Sequence, residues 1–113
     1  MNFDKLRLSK FRTYDGYNLP DDFDPPLEHD PNAEVLFAFC TSFEDVVRFA
    51  NLARNRQTHK NNRLFFIYQK GNKDFHRDHI YAFCDAAPFL RRKAPILSSL
   101  SGTYSCFAFE IIV

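Results

Sequence analysis

The residues with the strongest claim to chemistry are His76 and His79, which lie three apart with Asp74 and Asp78 beside them. On a helix, two imidazoles at that spacing share a face. With a carboxylate and one further ligand they would hold zinc. No second ligand pair occurs in the chain, so the spacing is read as a solvated helix start whose acids favour the helix dipole. Cys84, five residues after His79, would need to be a partly exposed thiolate beside a base to act as a nucleophile. It falls on the apolar side of its segment. No G-x-S-x-G elbow surrounds any serine, and Ser98, Ser99 and Ser101 read as turn residues. Asp21, Asp22, Asp24, Glu28 and Asp30 are rich in oxygen, but four nearby prolines and the lack of a glycine within the run break calcium-loop spacing. No catalytic, metal-binding or cofactor-binding residues are assigned on these patterns, and no cofactor is expected.

The remaining chemistry is charge. Residues 1–47 hold four Lys and Arg against ten Asp and Glu, whereas residues 48–93 hold eleven against three. An acidic arm folded over the basic segment would neutralise it, and otherwise the second half presents an anion-binding surface. The candidate contacts for an anion or a nucleic acid are Lys60, Arg63, Lys70, Lys73, Arg77, Arg91, Arg92 and Lys93.

These residues must be positioned by elements that the apolar pattern defines. Val35 to Cys40 is an unbroken apolar run, as in a strand covered on both faces. Thr41 with Glu44 predicts a capping box, and Phe43, Val46, Val47, Ala50 and Ala53 recur at helical spacing to about Arg56. Arg63 to Gln69, RLFFIYQ, is a second buried strand. A second helix is predicted from His76 to about Leu90, with Asp74 as N-cap, with Ile80, Phe83, Cys84 and Ala87 on one face, and with Pro88 ending or kinking it. Arg91 to Lys93 form a basic exit. Ile96 to Leu100 and Tyr104 to Val113 pair as a hairpin across Ser101-Gly102-Thr103. Before all of these, Lys5 to Arg12 alternates as a first strand. Residues 13–33 form an acidic, proline-rich strap, with a turn at Asp15-Gly16 and with Phe23 and Leu27 tucked into the domain.

The fold class is therefore α/β: one domain over residues 1–113, a small mixed sheet, helices at about 42–56 and 76–90, and an antiparallel C-terminal edge. The alternative is an α+β ferredoxin-like plait, which requires residues 78–84 to be a strand. Fourteen Phe and five Tyr supply the core of either. No apolar run reaches the roughly 18 residues of a membrane span, and the first ten residues lack the apolar stretch of a signal peptide. Three cysteines without CxxC spacing, each within an apolar run, predict reduced thiols and a cytoplasmic location.

Over residues 34–113 the segments EVLFAFC, RLFFIYQK, HRDHIYAF and TYSCFAFEI, taken in order, resemble a family of small uncharacterised bacterial proteins. The outline of that family is similar to the C-terminal half of a Rossmann-like methyltransferase. The resemblance implies a scaffold more than an activity. Gln69 stands where the family has proline, Tyr104 where it has tryptophan, and Ala108 where it has a basic residue. No Gly-rich loop follows any strand, so nothing would cradle a nucleotide phosphate or seat S-adenosylmethionine.

Three functions remain. A non-catalytic domain that binds a protein or associates with itself would use its apolar last strand, ending Glu110-Ile111-Ile112-Val113, as an edge for pairing. A single-stranded RNA module would stack bases on Phe37 or Phe39, Phe66 or Tyr68, and Tyr81 or Phe83 between the basic residues. A small enzyme of unassigned reaction is the third. The first is preferred, because the phenylalanines are expected to be packed inside.

Overall fold

The computed structural model describes residues 1–113, apart from the side chain of Ile96. Six strands form one mixed sheet: β1 (Thr13–Tyr17), β2 (Glu28–His29), β3 (Val35–Phe39), β4 (Arg63–Gln69), β5 (Leu90–Ser99) and β6 (Tyr104–Ile111). Their spatial order is β2-β1-β3-β4-β6-β5. The first four in that order run parallel, whereas β6 is antiparallel to β4 and β5 is antiparallel to β6. Helices α1 (Phe43–Arg56) and α2 (Arg77–Ala86) complete an α/β architecture. Residues 78–84 are helical, which removes the plait alternative.

β3 and β4 are buried along nearly their whole length because both faces are covered. One parity of residues, Leu36, Ala38, Leu64, Phe66, Phe107 and Phe109, meets both helices through Val46, Phe49, Ala50, Ala53, Ile80 and Cys84. The other parity, Val35, Phe37, Phe39, Phe65, Ile67 and Cys106, meets Leu6, Leu8, Phe11, Phe23 and Leu100. The second cover contains no α-helix. It consists of the N-terminal segment and the strap, and eleven of the fourteen phenylalanines are buried in the two layers.

The structure departs from the sequence expectations in several places. Lys5 to Arg12 is not a strand. Two single 3-10 turns, Asp4–Leu6 and Leu8–Lys10, are separated by Arg7 in the left-handed region (φ 56°), and this kink turns Leu6, Leu8 and Phe11 together onto the sheet. The strap is not wholly irregular, since Thr13–Tyr17 pairs with both β2 and β3. Asp15-Gly16 therefore lies in a strand rather than at a turn. α1 is capped one residue later than predicted. The Ser42 hydroxyl accepts the Asp45 N–H at 3.2 Å, and Asp45 Oδ2 accepts the Thr41 N–H and hydroxyl, each at 3.0 Å. Phe49 belongs to the buried face of this helix, whereas Phe43 is exposed. α2 ends at Ala86, and the segment read as a basic exit is the start of β5.

Asn62, fully buried ahead of β4, acts as an extra rung of the sheet. Its carboxamide accepts the Ile111 N–H at 2.8 Å and donates to the Ile111 carbonyl at 2.9 Å and to the His59 carbonyl at 2.6 Å. Each such bond contributes about 1 kcal/mol net, and the unmet groups would cost more if it were removed.

Candidate functional site

The start of β4, the end of β6 and the start of β5 lie side by side, with Arg91 directly opposite Glu110 in the β5–β6 register. Glu110 lies two residues beyond Ala108 and so points toward the cover side of the sheet. It bonds the Arg91 guanidinium, it lies 3.1 Å from Lys93 Nζ, and it is 3.9 Å from Arg63. The Arg91 bond, with help from Lys93 and against the effect of burial, holds the Glu110 carboxyl below the usual carboxylate range.

Arg63 is 7% exposed, and its guanidinium donates to the Asn62 carbonyl at 2.6 Å and lies 5.3 Å from the centre of the Phe11 ring. Burial pushes it below the usual guanidinium range, with Glu110 opposing. Lys10, from the second 3-10 turn, sits over the same ring at 5.4 Å. Partial desolvation, then the charges of Arg63 and Lys93, hold it below the usual ammonium range, with Glu110 opposing and Arg7 adding to the fall. Three cationic side chains, Arg63, Arg91 and Lys93, thus gather about the Glu110 carboxylate, and Lys10 shares the Phe11 ring with Arg63.

Of the eight residues the sequence singled out, only Arg63, Arg91 and Lys93 meet here. Arg92, one residue out of phase, faces the helix side. It grips Asp85 at 2.9 and 2.5 Å and covers the Tyr81 ring at 4.0 Å. Lys70 is tied to the Ser99 hydroxyl at 2.6 Å and the Ser101 carbonyl at 2.7 Å. Lys60, Lys73 and Arg77 are exposed elsewhere. Sequence reading missed Lys10 and Glu110 as members of the cluster. The one usable signal was that Glu110 is the only acid after residue 93.

The acidic strap does not neutralise this cluster. Its contact with a basic residue is at the other side of the sheet, where Arg56 at the end of α1 reaches Asp15 at 2.7 Å and bonds the Pro31 carbonyl. His29 Nε2 lies 2.9 Å from the same carboxylate. Burial pushes the Asp15 carboxyl up, but the bonds from Arg56, His29 and the Gly16 backbone outweigh it, and the net shift is downward. A depressed carboxylate contributes stability that is present above its unfolded pKa, about 3.9, and is lost as pH falls through the folded value. Asp15→Asn should therefore be less stable than the parent at about pH 7, and the gap should close in acid at about pH 2. Urea midpoints at the two pH values measure this, and a gap independent of pH would refute it.

The other candidates for chemistry are engaged structurally. His76, rather than Asp74, caps α2: its Nδ1 accepts the Asp78 N–H at 3.3 Å, while His79 Nδ1 accepts the His76 N–H at 3.2 Å. Those ring lone pairs serve the helix start and are not free to ligate. Cys40, Cys84 and Cys106 are buried and unpaired. Burial pushes the Cys84 and Cys106 thiols up to about 12 and raises Cys40 further, which is the opposite of an activated nucleophile. The rings proposed as a base-stacking platform are placed otherwise than expected. Phe37, Phe39, Phe66 and Tyr68 are buried, and Tyr81 and Phe83 lie half-buried on α2. The last strand is not an edge, since β6 is hydrogen-bonded on both sides. No helix is long and apolar enough to cross a membrane. The chain matches no protein-family model, no curated protein and no solved structure, which leaves its geometry as the ground for function.

Proposed function

We propose that this chain is a non-catalytic binding domain that docks an acidic segment of a partner protein on the row formed by Arg91, Lys93 and Lys10, with Arg63 buried behind them. The carrying observation is that Arg91, Lys93 and Arg63 all meet the one carboxylate of Glu110 at the adjoining ends of three strands, with Lys10 beside them. Like charges held this close raise one another's cost, and a multivalent anion relieves it. A protein partner is favoured over RNA because the ring within the cluster, Phe11, is buried beneath Lys10 and Arg63 and offers no face to a base.

A partner is favoured over a second copy of the chain because β5, the long edge, carries the features that resist strand pairing. Arg91, Arg92 and Lys93 charge it, Pro95 lacks an N–H, and the register shifts between Arg92 and Leu97. A self-associating domain is the second reading, and a dimer in equilibrium sedimentation would favour it. In this proposal the protein works in the cytoplasm, where its thiols stay reduced.

Titration of a fluorescent octaglutamate peptide tests the proposal. Affinity should fall steeply between about 50 and 200 mM salt. Charge reversal of the pair Arg91→Glu and Lys93→Glu should abolish binding, while Glu110→Gln should tighten it about 2–5-fold by removing the one repulsive charge. Tighter binding of a single-stranded oligonucleotide of equal length would move the assignment to nucleic acid. No binding of either at low salt would overturn it.

A further inference from the structure

β1 and β3 are adjacent and parallel, yet the chain leaves them toward opposite faces of the sheet. Asn18 to Pro20 lead to the cover side, where Leu19 packs, and Thr41 with Ser42 leads into α1 on the helix side. Diverging connections leave a gap beyond the carboxyl ends of the strands that no backbone fills, and open α/β sheets take ligands at such a point. Here the gap is a crevice of about 280 Å³ whose floor includes Leu19, Phe39 and Ile67. Tyr104 stands edge-on to Phe39 with ring centres 5.5 Å apart, and Asn18 and Gln69 line the rim with neutral carboxamides. Asn18 holds a left-handed backbone (φ 57°) and donates through Nδ2 to the Phe39 carbonyl at 3.3 Å, which anchors its side chain at the crevice wall.

Charge decides what fits. The start of α1 borders the crevice through Thr41, and a helix start ordinarily attracts anions. In this chain the Thr41 donors are taken: the Asp45 carboxylate, itself paired with exposed Arg48 at 3.2 Å, already accepts the Thr41 N–H and hydroxyl, and Glu44 adds a further negative charge in the first turn. A phosphate or carboxylate ligand would meet a carboxylate in its place. We propose that the crevice binds a small uncharged planar molecule, an aromatic ring bearing an amide-type edge. The ring would lie against Leu19 and Tyr104, above the buried Phe39 and Ile67, and the edge would bond to Asn18 and Gln69. This site is at the opposite end of β4 from the cationic row and is independent of it.

Charge-matched probes test the assignment by amide chemical-shift titration of the whole chain. Benzamide should shift the amides of Asn18, Thr41 and Gln69 saturably, with a dissociation constant of about 1 mM for so small a probe. Benzoate, the same size but anionic, should bind at least about 10-fold more weakly. Asn18→Gly, which keeps the left-handed backbone, and Gln69→Ala, at an exposed strand end, should each weaken benzamide about 5-fold. Equal binding of the two probes, shifts away from the crevice, or an absence of saturable shifts would each overturn the proposal.

Discussion

Replacing Phe37 by alanine should lower stability by about 3–5 kcal/mol, a large share of what a domain of this size possesses. Phe37 is fully buried in β3 and belongs to the face without helices. Its ring stacks on Phe65 at 5.2 Å and meets Phe23 edge-on at 4.9 Å, with Phe3 and Tyr14 both at 6.2 Å. It thus touches the N-terminal segment, β1, the strap and β4 at once. Truncation leaves a cavity and also loosens a cover that has little regular backbone bonding of its own. Phe37→Leu, which keeps most of the volume, should cost about 1–1.5 kcal/mol. Urea unfolding of the two variants measures both, and a loss below about 1 kcal/mol for Phe37→Ala would mean that the cover is not held from this ring.

Gly16→Ala should be comparably damaging, at about 3 kcal/mol or more. Gly16 pairs with Phe37 in the β1–β3 register, and a Cβ built there falls 2.2 Å from the Phe37 carbonyl oxygen and 2.8 Å from Leu19 Cδ2. The leucine tip can turn aside. The carbonyl cannot move without breaking the ladder that attaches β1 to the sheet. Gly102→Ala is the matched control, because nothing lies within 4 Å of a Cβ at that position. It should change stability by less than about 0.5 kcal/mol. Equal effects from the two substitutions, read from thermal or urea midpoints, would show that the close approach of β1 to β3 is not what selects glycine.

The second prediction concerns β1, which carries no local signature of a strand. TYDGY is polar and glycine-containing, and it is extended because β2 and β3 pair with it on either side. β5 was obscured for a related reason. An edge strand protected by Arg91, Arg92, Lys93 and Pro95 lacks the apolar alternation by which strands are recognised. Lys5 to Arg12 misled in the opposite direction, because its apolar spacing suits a strand while the left-handed Arg7 folds it into turns. The cationic row was legible only in part. Arg63, Arg91 and Lys93 stood out as basic residues of the second half, but Lys10 joins them through the fold of the cover.

The sequence by itself determined the buried strands β3, β4 and β6, helix α1 and the internal placing of most phenylalanines, and it narrowed the fold to α/β or a plait. Those features follow from apolar periodicity, which acts within a few residues. Tertiary structure alone decided that residues 78–84 are helical, that β6 lies inside the sheet, that the second cover is irregular, and that Arg63, Arg91 and Lys93 share one carboxylate. It also decided that a crevice opens where β1 and β3 part. Those features depend on which distant segments become neighbours, and the pairing of strands far apart in the chain leaves no mark in local spacing.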